Sequence, residues 1–148
     1  MANTPLVPHL VCRNATAAIA FYQRALGAEP LMVLNAPDGA LLHACLRVNG
    51  AELFLCDECP AQGVRAPDGS QPSPVALHLN VDDVDAVFAR AVAAGCTAEL
   101  APQEMFWGDR FGAFVDPFGH RWSVATPVRQ LSESELRAAA AAACAGGP

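Results

Sequence analysis

The residues of this chain best suited to chemistry are its histidines, above all two that lie at equivalent places. His9 and His78 stand at a sequence separation of 69, and each precedes a leucine within an apolar stretch that predicts a strand. Neutral imidazoles bind Zn, Ni or Fe, and Glu52 or His43 could supply a third ligand. Imidazoles also line ligand pockets as hydrogen-bonding groups. Both interpretations stay open, because neither histidine belongs to a metal-ligand spacing motif.

The same separation of 69 relates many other positions and predicts two copies of one module. Asn14 corresponds to Asp83 before a predicted helix, and Gly50 corresponds to Gly119 in a predicted turn. A one-residue slip aligns Gly27 with Gly95, after which the separation of 69 is expected to return. The further pairs predicted from it are Ala44 with Ala113, Leu46 with Val115 and Leu55 with Val124. Two such copies should pack about a pseudo-twofold axis, with a ligand groove between them.

Apolar periodicity and turn residues predict a strand, a helix and three strands in each copy. We therefore predict an α+β fold of two βαβββ modules, which form one domain over residues 1–148. The first module covers residues 5–59, a loop rich in Pro and Gly covers 60–74, and the second module covers 75–127. The tail, residues 128–148, contains Ser132 and Glu135 at the spacing of a capping box, which predicts a short terminal helix. The predicted helices cover residues 15–26 and 84–94, and the predicted strands cover 7–12, 30–34, 41–48, 51–56, 75–81, 97–100, 111–115 and 121–125.

Strand alternation separates the side chains that face the helices from those on the opposite, concave face. Apolar side chains such as Leu10 and Leu79 face the helices. The residues His9, His43, His78 and Glu52 fall on the concave face. Trp107 follows Phe106 in a loop, where it could stack on a ligand or cap the end of the fold. Arg121 could grip an anionic group or simply face solvent. The predicted ligand-binding residues are His9, His43, Phe54, His78, Trp107, Arg121 and Ser123.

Composition excludes several classes of function. A net charge of −6 argues against nucleic acid or an anionic membrane as the partner. The chain has no lysine, so Schiff-base chemistry is excluded, and no apolar run approaches the roughly 20 residues of a membrane span. The first residues lack the features of a signal peptide, which predicts a cytoplasmic protein with reduced thiols. Cys56 and Cys59 have CxxC spacing, but no second pair completes a zinc site.

Two segments carry a family resemblance. The segments Ala18-Ile19-Ala20-Phe21-Tyr22 and Asp116-Pro117-Phe118-Gly119-His120-Arg121-Trp122, within paired βαβββ modules, resemble the vicinal oxygen chelate superfamily. This superfamily contains glyoxalase I, ring-cleaving dioxygenases, fosfomycin-resistance enzymes and bleomycin-resistance proteins. The segment Phe106-Trp107-Gly108-Asp109-Arg110-Phe111-Gly112 is similar to a subgroup named after phosphonate-operon protein B. The resemblance covers residues 5–127 and implies a glyoxalase-like open barrel.

The resemblance also bears on cofactors. Enzymes of the superfamily usually hold a divalent metal with ligands from the first and last strand of each module. Alignment to the motifs places these positions at Val7, Phe54, Ala76 and Ser123, none of which carries a carboxylate or an imidazole. The resemblance therefore implies that the usual metal centre is absent, so no cofactor is assigned, and a divalent metal stays an open alternative. The alternative is an offset centre that would use His9, His78 and Glu52.

Together these observations predict a homodimer that binds a small, mainly apolar molecule in the groove, as the bleomycin-resistance type does. A homodimer is expected because each module leaves a sheet edge open. One alternative is a metal-dependent lyase, isomerase or dioxygenase that uses the offset histidines. Another is a regulatory or interaction module. The fold alone does not choose between an enzyme and a binding protein.

Overall fold

Two four-stranded mixed sheets, each with one helix, form the framework of the protein. A computed structural model describes residues 6–146, so the predictions for residues 1–5 and 147–148 lie outside the described residues. The predicted α+β fold of two βαβββ modules and a terminal helix is confirmed. The elements are β1 His9–Cys12, α1 Ala15–Leu26, β2 Glu29–Asn35, β3 Leu41–Val48, β4 Ala51–Asp57, β5 Ala76–Asn80, α2 Val84–Ala94, β6 Thr97–Glu104, β7 Asp109–Val115, β8 Arg121–Pro127 and α3 Glu133–Ala145.

The two sheets have the same topology. The strand order is β1-β4-β3-β2 in the first sheet and β5-β8-β7-β6 in the second. The first strand pairs in parallel with the last strand of its module, and the other neighbours are antiparallel. The segment between modules, predicted as a loop, contains a short 3₁₀ turn at Pro60–Gln62. No helix among residues 6–146 is long and apolar enough to cross a membrane.

Strand register confirms the repeat at the histidines. His9 lies opposite Phe54 between β1 and β4, and His78 lies opposite Ser123 between β5 and β8. Both members of the first pair are related to those of the second by the separation of 69, so the two histidines occupy equivalent positions. The predicted offset is therefore correct for the first and last strands.

The middle strands follow a different offset from the predicted one. Pro30 pairs with Leu46 in the first sheet as Ala98 pairs with Phe114 in the second, which gives a separation of 68. A register shift follows each of these pairs at the same place, so the irregularity itself is repeated. The pairs predicted wrongly, each by one position, are Ala44 with Ala113 and Leu46 with Val115.

The turn that follows the third strand restores the separation of 69. Arg47 pairs with Glu52 across this turn in the first module, and Val115 pairs with Arg121 across it in the second. The second module therefore has one residue more between these equivalent pairs. The longer turn compensates for the lower offset of the strands before it.

A polar side chain at the end of each module fixes the start of the helix. Asp57 accepts hydrogen bonds from the backbone N–H groups of Ala15 at 2.7 Å and Leu41 at 2.8 Å. In the second module, the hydroxyl of Thr126 accepts from the N–H of Val84 at 2.9 Å. Both acceptors satisfy a donor of the first helical turn, which has no partner within the helix. The N-cap side chains, Asn14 and Asp83, also correspond.

A buried carboxylate joins the two modules. One oxygen of Asp116 accepts from the hydroxyl of Tyr22 at 2.5 Å and from the indole N–H of Trp122 at 2.9 Å. Its other oxygen accepts from the backbone N–H groups of Phe118 and His120. Asp116 and Tyr22 are both buried, and helices α1 and α2 contribute to the same hydrophobic core. Tyr22 is therefore a core residue that also carries a polar link between the modules.

The free edges of the first strands make equivalent contacts across the junction. His120 donates from Nε2 to the backbone oxygen of Val11 in β1 at 2.9 Å. Asn49 donates from its side-chain amide to the backbone oxygen of Asn80 in β5 at 2.6 Å. Val11 and Asn80 are themselves equivalent, since they too obey the separation of 69. Each module therefore caps the edge strand of the other, as a pseudo-twofold arrangement requires.

The outer edges of the two sheets differ in chemistry. Strand β2 exposes Met32, Val33 and Leu34, and Leu42 beside it on β3 is also exposed. The equivalent positions of β6, at the separation of 68, carry Leu100, Ala101 and Pro102 between Glu99 and Glu104. Charged residues and proline protect an edge strand from pairing with another chain. The edge of the second sheet has such residues at Glu99, Pro102 and Glu104, whereas in the first sheet Glu29 and Pro30 stand only at the start of β2.

Candidate functional site

In the first module, three rings cluster on the face of the sheet that lies opposite α1. His9 on β1 lies beside Phe54 on β4 with 6.1 Å between ring centroids. His43 on β3 contacts both, at 4.7 Å from the ring of Phe54 and 5.8 Å from that of His9. All three contacts are edge-to-face, which is a preferred geometry for aromatic pairs. The predicted residues His9, His43 and Phe54 are therefore neighbours.

The two imidazoles of this cluster have ring nitrogens available to a ligand. Neither His9 nor His43 makes a side-chain hydrogen bond to another of residues 6–146, and His9 is exposed. Partial burial lowers the pKa of His9 below its usual value, and the nearby His43 lowers it further. Burial and a like charge both disfavour the protonated form. At neutral pH, His9 is therefore neutral and can accept or donate one hydrogen bond at each nitrogen.

In the second module, His78 is held by hydrogen bonds at both ring nitrogens. Its Nδ1 lies 2.8 Å from the hydroxyl oxygen of Ser123 on β8. Its Nε2 lies 3.1 Å from the side-chain oxygen of Asn80 on β5. Ser123 is buried with 7% of its surface exposed, whereas His78 and Asn80 are exposed. His78 was predicted as a pocket-lining hydrogen-bonding group or an offset metal ligand, and in the structure both of its ring nitrogens contact groups of the chain itself.

An aromatic wall extends from His78. Phe111 on β7 stacks on the imidazole with ring centroids 6.0 Å apart, and Trp107 lies 5.7 Å from Phe111. The indole N–H of Trp107 donates to Asp109 at 3.2 Å, which fixes the ring. Phe106 makes an edge contact with Trp107 at 5.0 Å. The loop that carries Trp107 thus brings its ring into the same cluster as His78.

The sequence did not single out Phe111 or Asn80 as site residues. Phe111 is equivalent to His43 at the separation of 68, so the correct offset would have identified it. Asn80 lies two positions after His78, and strand alternation already placed both on one face. Arg110, in the segment that resembles the subgroup, pairs with Asp85 on α2 at 2.8 Å.

The guanidinium of Arg121 makes its contacts outside the two ring clusters. Its guanidinium pairs with Glu99 at 3.0 Å and donates to the backbone oxygen of Ser73 at 3.4 Å. On β8 it precedes Ser123 by two positions and lies opposite Ala76 of β5. With its charge already balanced, Arg121 lines a shallow depression with Pro67 and residues 69–73 rather than the aromatic wall.

An apolar cavity of about 160 Å³ lies between the modules. Its walls include Leu53 from the first module with Leu77 and Trp122 from the second. Its lining also includes the carboxylate residue Glu52 from the first module and the imidazole residue His78 from the second. The cavity thus brings together two of the three residues of the predicted offset metal set.

The positions implied for the usual metal centre carry no suitable ligands. Phe54 and Ser123 lie at equivalent places on β4 and β8, opposite the two histidines. Val7 precedes β1, and Ala76 begins β5. Among residues 6–146, no group of three His, Cys, Asp or Glu side chains is arranged to hold a metal ion. The residues present therefore do not fit the superfamily's metal centre.

Comparison with known proteins agrees with this architecture. The sequence pattern of the Glyoxalase/Bleomycin resistance protein/Dioxygenase superfamily matches residues 6–124. The Mycobacterium bovis protein Mb0911c is 45% identical over 137 residues, which cover 90% of each chain. The crystal structure of PA1353 from Pseudomonas aeruginosa superposes with a TM-score of 0.68 at 26% identity, covering 84% of this chain and 98% of that one.

A structure from the predicted subgroup is also similar. The PhnB protein of Bacillus cereus superposes with a TM-score of 0.64 at 16% identity, covering 83% of this chain and 99% of the other. At that identity the likeness concerns the fold alone. Because the family pattern spans most of the sequence and the two βαβββ modules have the expected topology, the chain belongs to the glyoxalase/bleomycin resistance protein/dioxygenase superfamily.

Proposed function

We propose that this protein binds a small, mainly apolar molecule on the sheet faces opposite its helices, without the superfamily's usual metal centre. The observation that carries the proposal is the pair of ring clusters, with His9, His43 and Phe54 in one module and Phe111 and Trp107 in the other. Most of these rings keep part of their surface exposed. Small-molecule sites are largely apolar with a few placed polar groups, which is the composition of this face.

The available hydrogen-bonding groups favour a ligand with few polar atoms. His9 and His43 offer ring nitrogens, whereas His78 has both nitrogens engaged and Arg121 is neutralised by Glu99. An anionic ligand would have to break the pair between Arg121 and Glu99. A neutral aromatic molecule would gain ring contacts at no such cost. We therefore propose a planar, uncharged molecule as the ligand class.

The metal part of the proposal rests on donor chemistry. Phe54 and Ser123 replace carboxylate or imidazole ligands, and an offset centre would require His78 to give up one of its two hydrogen bonds. Metal analysis of protein purified without added metal or chelator is the direct test. We expect less than one metal ion per chain. A stoichiometric metal lost when His9 or His78 is replaced would overturn this part of the proposal.

We also propose that the functional unit is a homodimer in which β2 lies at the interface. Met32, Val33 and Leu34 form an apolar edge on a strand whose single charged residue, Glu29, is paired with Arg47 at 3.2 Å. Such an edge can pair with a second copy without repulsion between like charges. A sedimentation mass equal to one chain across micromolar concentrations would contradict the proposal.

Ligand binding is best tested by tryptophan fluorescence during titration with a panel of uncharged aromatic compounds. The chain has two tryptophans, and Trp122 is buried, so a change in emission that is lost in Trp107→Phe locates the ligand at the aromatic wall. His43→Ala should weaken binding about tenfold, because it removes one ring contact and one polar group.

The matched control is His120→Ala, which removes a histidine that bonds to a backbone oxygen at the module junction. It should lower the melting temperature while leaving the affinity unchanged. If no compound changes the emission of Trp107, or if His43→Ala binds as tightly as the wild type, this face is not the binding site.

A further inference from the structure

We propose that Ser123, His78 and Asn80 form a nucleophilic site that accepts an acyl group from an aryl ester, so that the protein has a hydrolytic activity in addition to binding. The hydroxyl of Ser123 lies 2.8 Å from Nδ1 of His78, and Asn80 lies 3.1 Å from Nε2 of the same ring. A nucleophile within hydrogen-bond reach of a base that a third group orients is the arrangement used in covalent catalysis. Membership of the superfamily does not by itself imply such a nucleophilic site.

The proton positions follow from the hydrogen bonds. The side-chain oxygen of Asn80 can only accept, so Nε2 of His78 carries the proton and donates it to Asn80. Nδ1 is then unprotonated and accepts from the hydroxyl of Ser123. Asn80 thereby holds the tautomer in which His78 can remove the serine proton. In this arrangement Ser123 is the nucleophile, His78 is the base, and Asn80 is a positioning residue.

The repeat shows that this arrangement is specific to the second module. In the first module the position equivalent to Ser123 is Phe54, and the position equivalent to Asn80 is Val11. Only the histidine is shared, as His9. The hydroxyl and the amide are therefore not needed to form the strands, because the first module forms equivalent strands without them.

The surroundings indicate the class of substrate. Phe111 stacks on the imidazole and Trp107 extends the aromatic surface, so an aromatic group can lie beside the serine. Ser123 is largely covered by its neighbours, whereas His78 is open to solvent. A flat ester that lies along Phe111 and the imidazole would bring its carbonyl carbon toward the hydroxyl that His78 contacts. The rings of this wall favour an aryl group over a charged one.

The reaction is a two-step hydrolysis. The oxygen of Ser123 forms a bond to the ester carbonyl carbon while His78 takes the hydroxyl proton. The bond from that carbon to the aryl oxygen breaks, and the phenol leaves with the proton from His78. Water then adds to the acyl-serine with His78 again as base, which releases the carboxylic acid and restores the hydroxyl. Ester and water are consumed, and acid and phenol are formed.

Covalent labelling with a fluorophosphonate tests the nucleophile directly. Attack by Ser123 on phosphorus would expel fluoride and leave a stable adduct, which peptide mass mapping locates. We expect one adduct at Ser123 and steady release of phenol from phenyl acetate. Ser123→Ala, a small change in volume, should abolish both, and His78→Gln should slow phenol release about 100-fold. Ser134→Ala, on the exposed surface of α3, should behave as the wild type.

Asn80 has a separate test. Asn80→Ala should slow phenol release about tenfold, and Asn80→Asp, which keeps the acceptor oxygen, should restore it. If Asn80 only stabilised the fold, Asn80→Asp would not restore the rate of phenol release at an equal melting temperature. The inference depends on this face being open to small molecules, as proposed above. Aromatic ligands that bind without any adduct at Ser123 would overturn the inference alone, and labelling that persists in Ser123→Ala would also overturn it.

Discussion

The two modules share a framework but differ in almost every side chain that a ligand or a partner could meet. The residues that start each helix correspond, with Asp57 in one module and Thr126 in the other. On the concave face, the first module leaves His9 and His43 without hydrogen bonds to the described residues, while the second ties His78 to Ser123. Backbone donors must be satisfied in both copies. The exposed faces carry no such requirement and were free to diverge.

The turn between the last two strands shows the same contrast. In the first module it consists of Asn49 and Gly50, both at positive φ, which is the usual two-residue hairpin. In the second it is longer and contains Asp116, whose carboxylate reaches Tyr22 of the first module. The longer turn thus provides a buried polar link between the copies. The predictions below test this contrast, from the largest expected effect to the smallest.

The module link should dominate stability. Asp116→Ala removes an acceptor of four hydrogen bonds and leaves the hydroxyl of Tyr22 and the indole of Trp122 buried without partners. We expect the free energy of unfolding to fall by at least about 3 kcal/mol, because hydrogen bonds to a charged group are worth about 1.5–3 kcal/mol each. Urea denaturation measures the change.

The matched variant is Asp57→Ala in the first module. It removes an acceptor of two backbone hydrogen bonds near the surface, so the loss should be about 1–2 kcal/mol. Equal losses for the two variants would mean that Asp116 is only a turn residue and not the link between modules.

The two sheet edges should respond differently to the same substitution. Val33→Lys places a charge in the middle of β2 and should raise the dimer dissociation constant about 100-fold, since burying an unpaired charge is unfavourable. Ala101→Lys makes the same change at the equivalent, already protected position of β6 and should have no effect. Sedimentation equilibrium distinguishes them. A dimer that survives Val33→Lys but not Ala101→Lys would place the interface on the second module.

Local patterns were sufficient to predict the framework. The bounds of α1 and α2 were predicted correctly at both ends, because Asn14 and Asp83 cap their starts and Gly27 and Gly95 follow their ends. The offset in the middle strands was predicted wrongly because alanine and small apolar residues recur too often to distinguish a separation of 69 from 68. Register depends on turn length, which only backbone pairing fixes.

The site was less predictable for a related reason. Alternation correctly gives the face on which His78 lies, but it does not say whether its nitrogens point to solvent or to Ser123. Arg121 lies on the same strand as Ser123, yet its long side chain reaches Glu99 and the loop before β5. Contacts between side chains that are distant in sequence decide the orientation of His78 and Arg121, and the sequence pattern does not predict such contacts.

The histidines at equivalent positions should contribute unequally to stability. If His78 only bound a ligand, as its predicted role implies, His78→Ala would affect binding far more than melting temperature. The structure changes this expectation, because the substitution leaves the buried hydroxyl of Ser123 without its partner. We expect a loss of about 1–2 kcal/mol for His78→Ala and about half as much for His9→Ala, which removes only ring contacts. Thermal unfolding of both variants provides the measurement.

The smallest effect concerns pH and the first module. Burial and His43 lower the pKa of His9 in the folded chain below 6.5, so the unfolded chain binds more protons as pH falls through that value. Above pH 6.5 the lowered pKa of His9 does not change the stability of the fold. Below pH 6.5 the free energy of unfolding falls with pH, until His9 in the folded chain is itself protonated. The unfolding free energy of His9→Gln should therefore depend less on pH between the lowered pKa of His9 and 6.5.

His43→Gln should raise the titration midpoint of His9 only part of the way to 6.5, because burial is the larger cause of the lowered pKa. Proton NMR of the imidazole Cε1–H follows the titration directly, and a His9 midpoint at or above 6.5 in the wild type would remove the basis for a neutral His9.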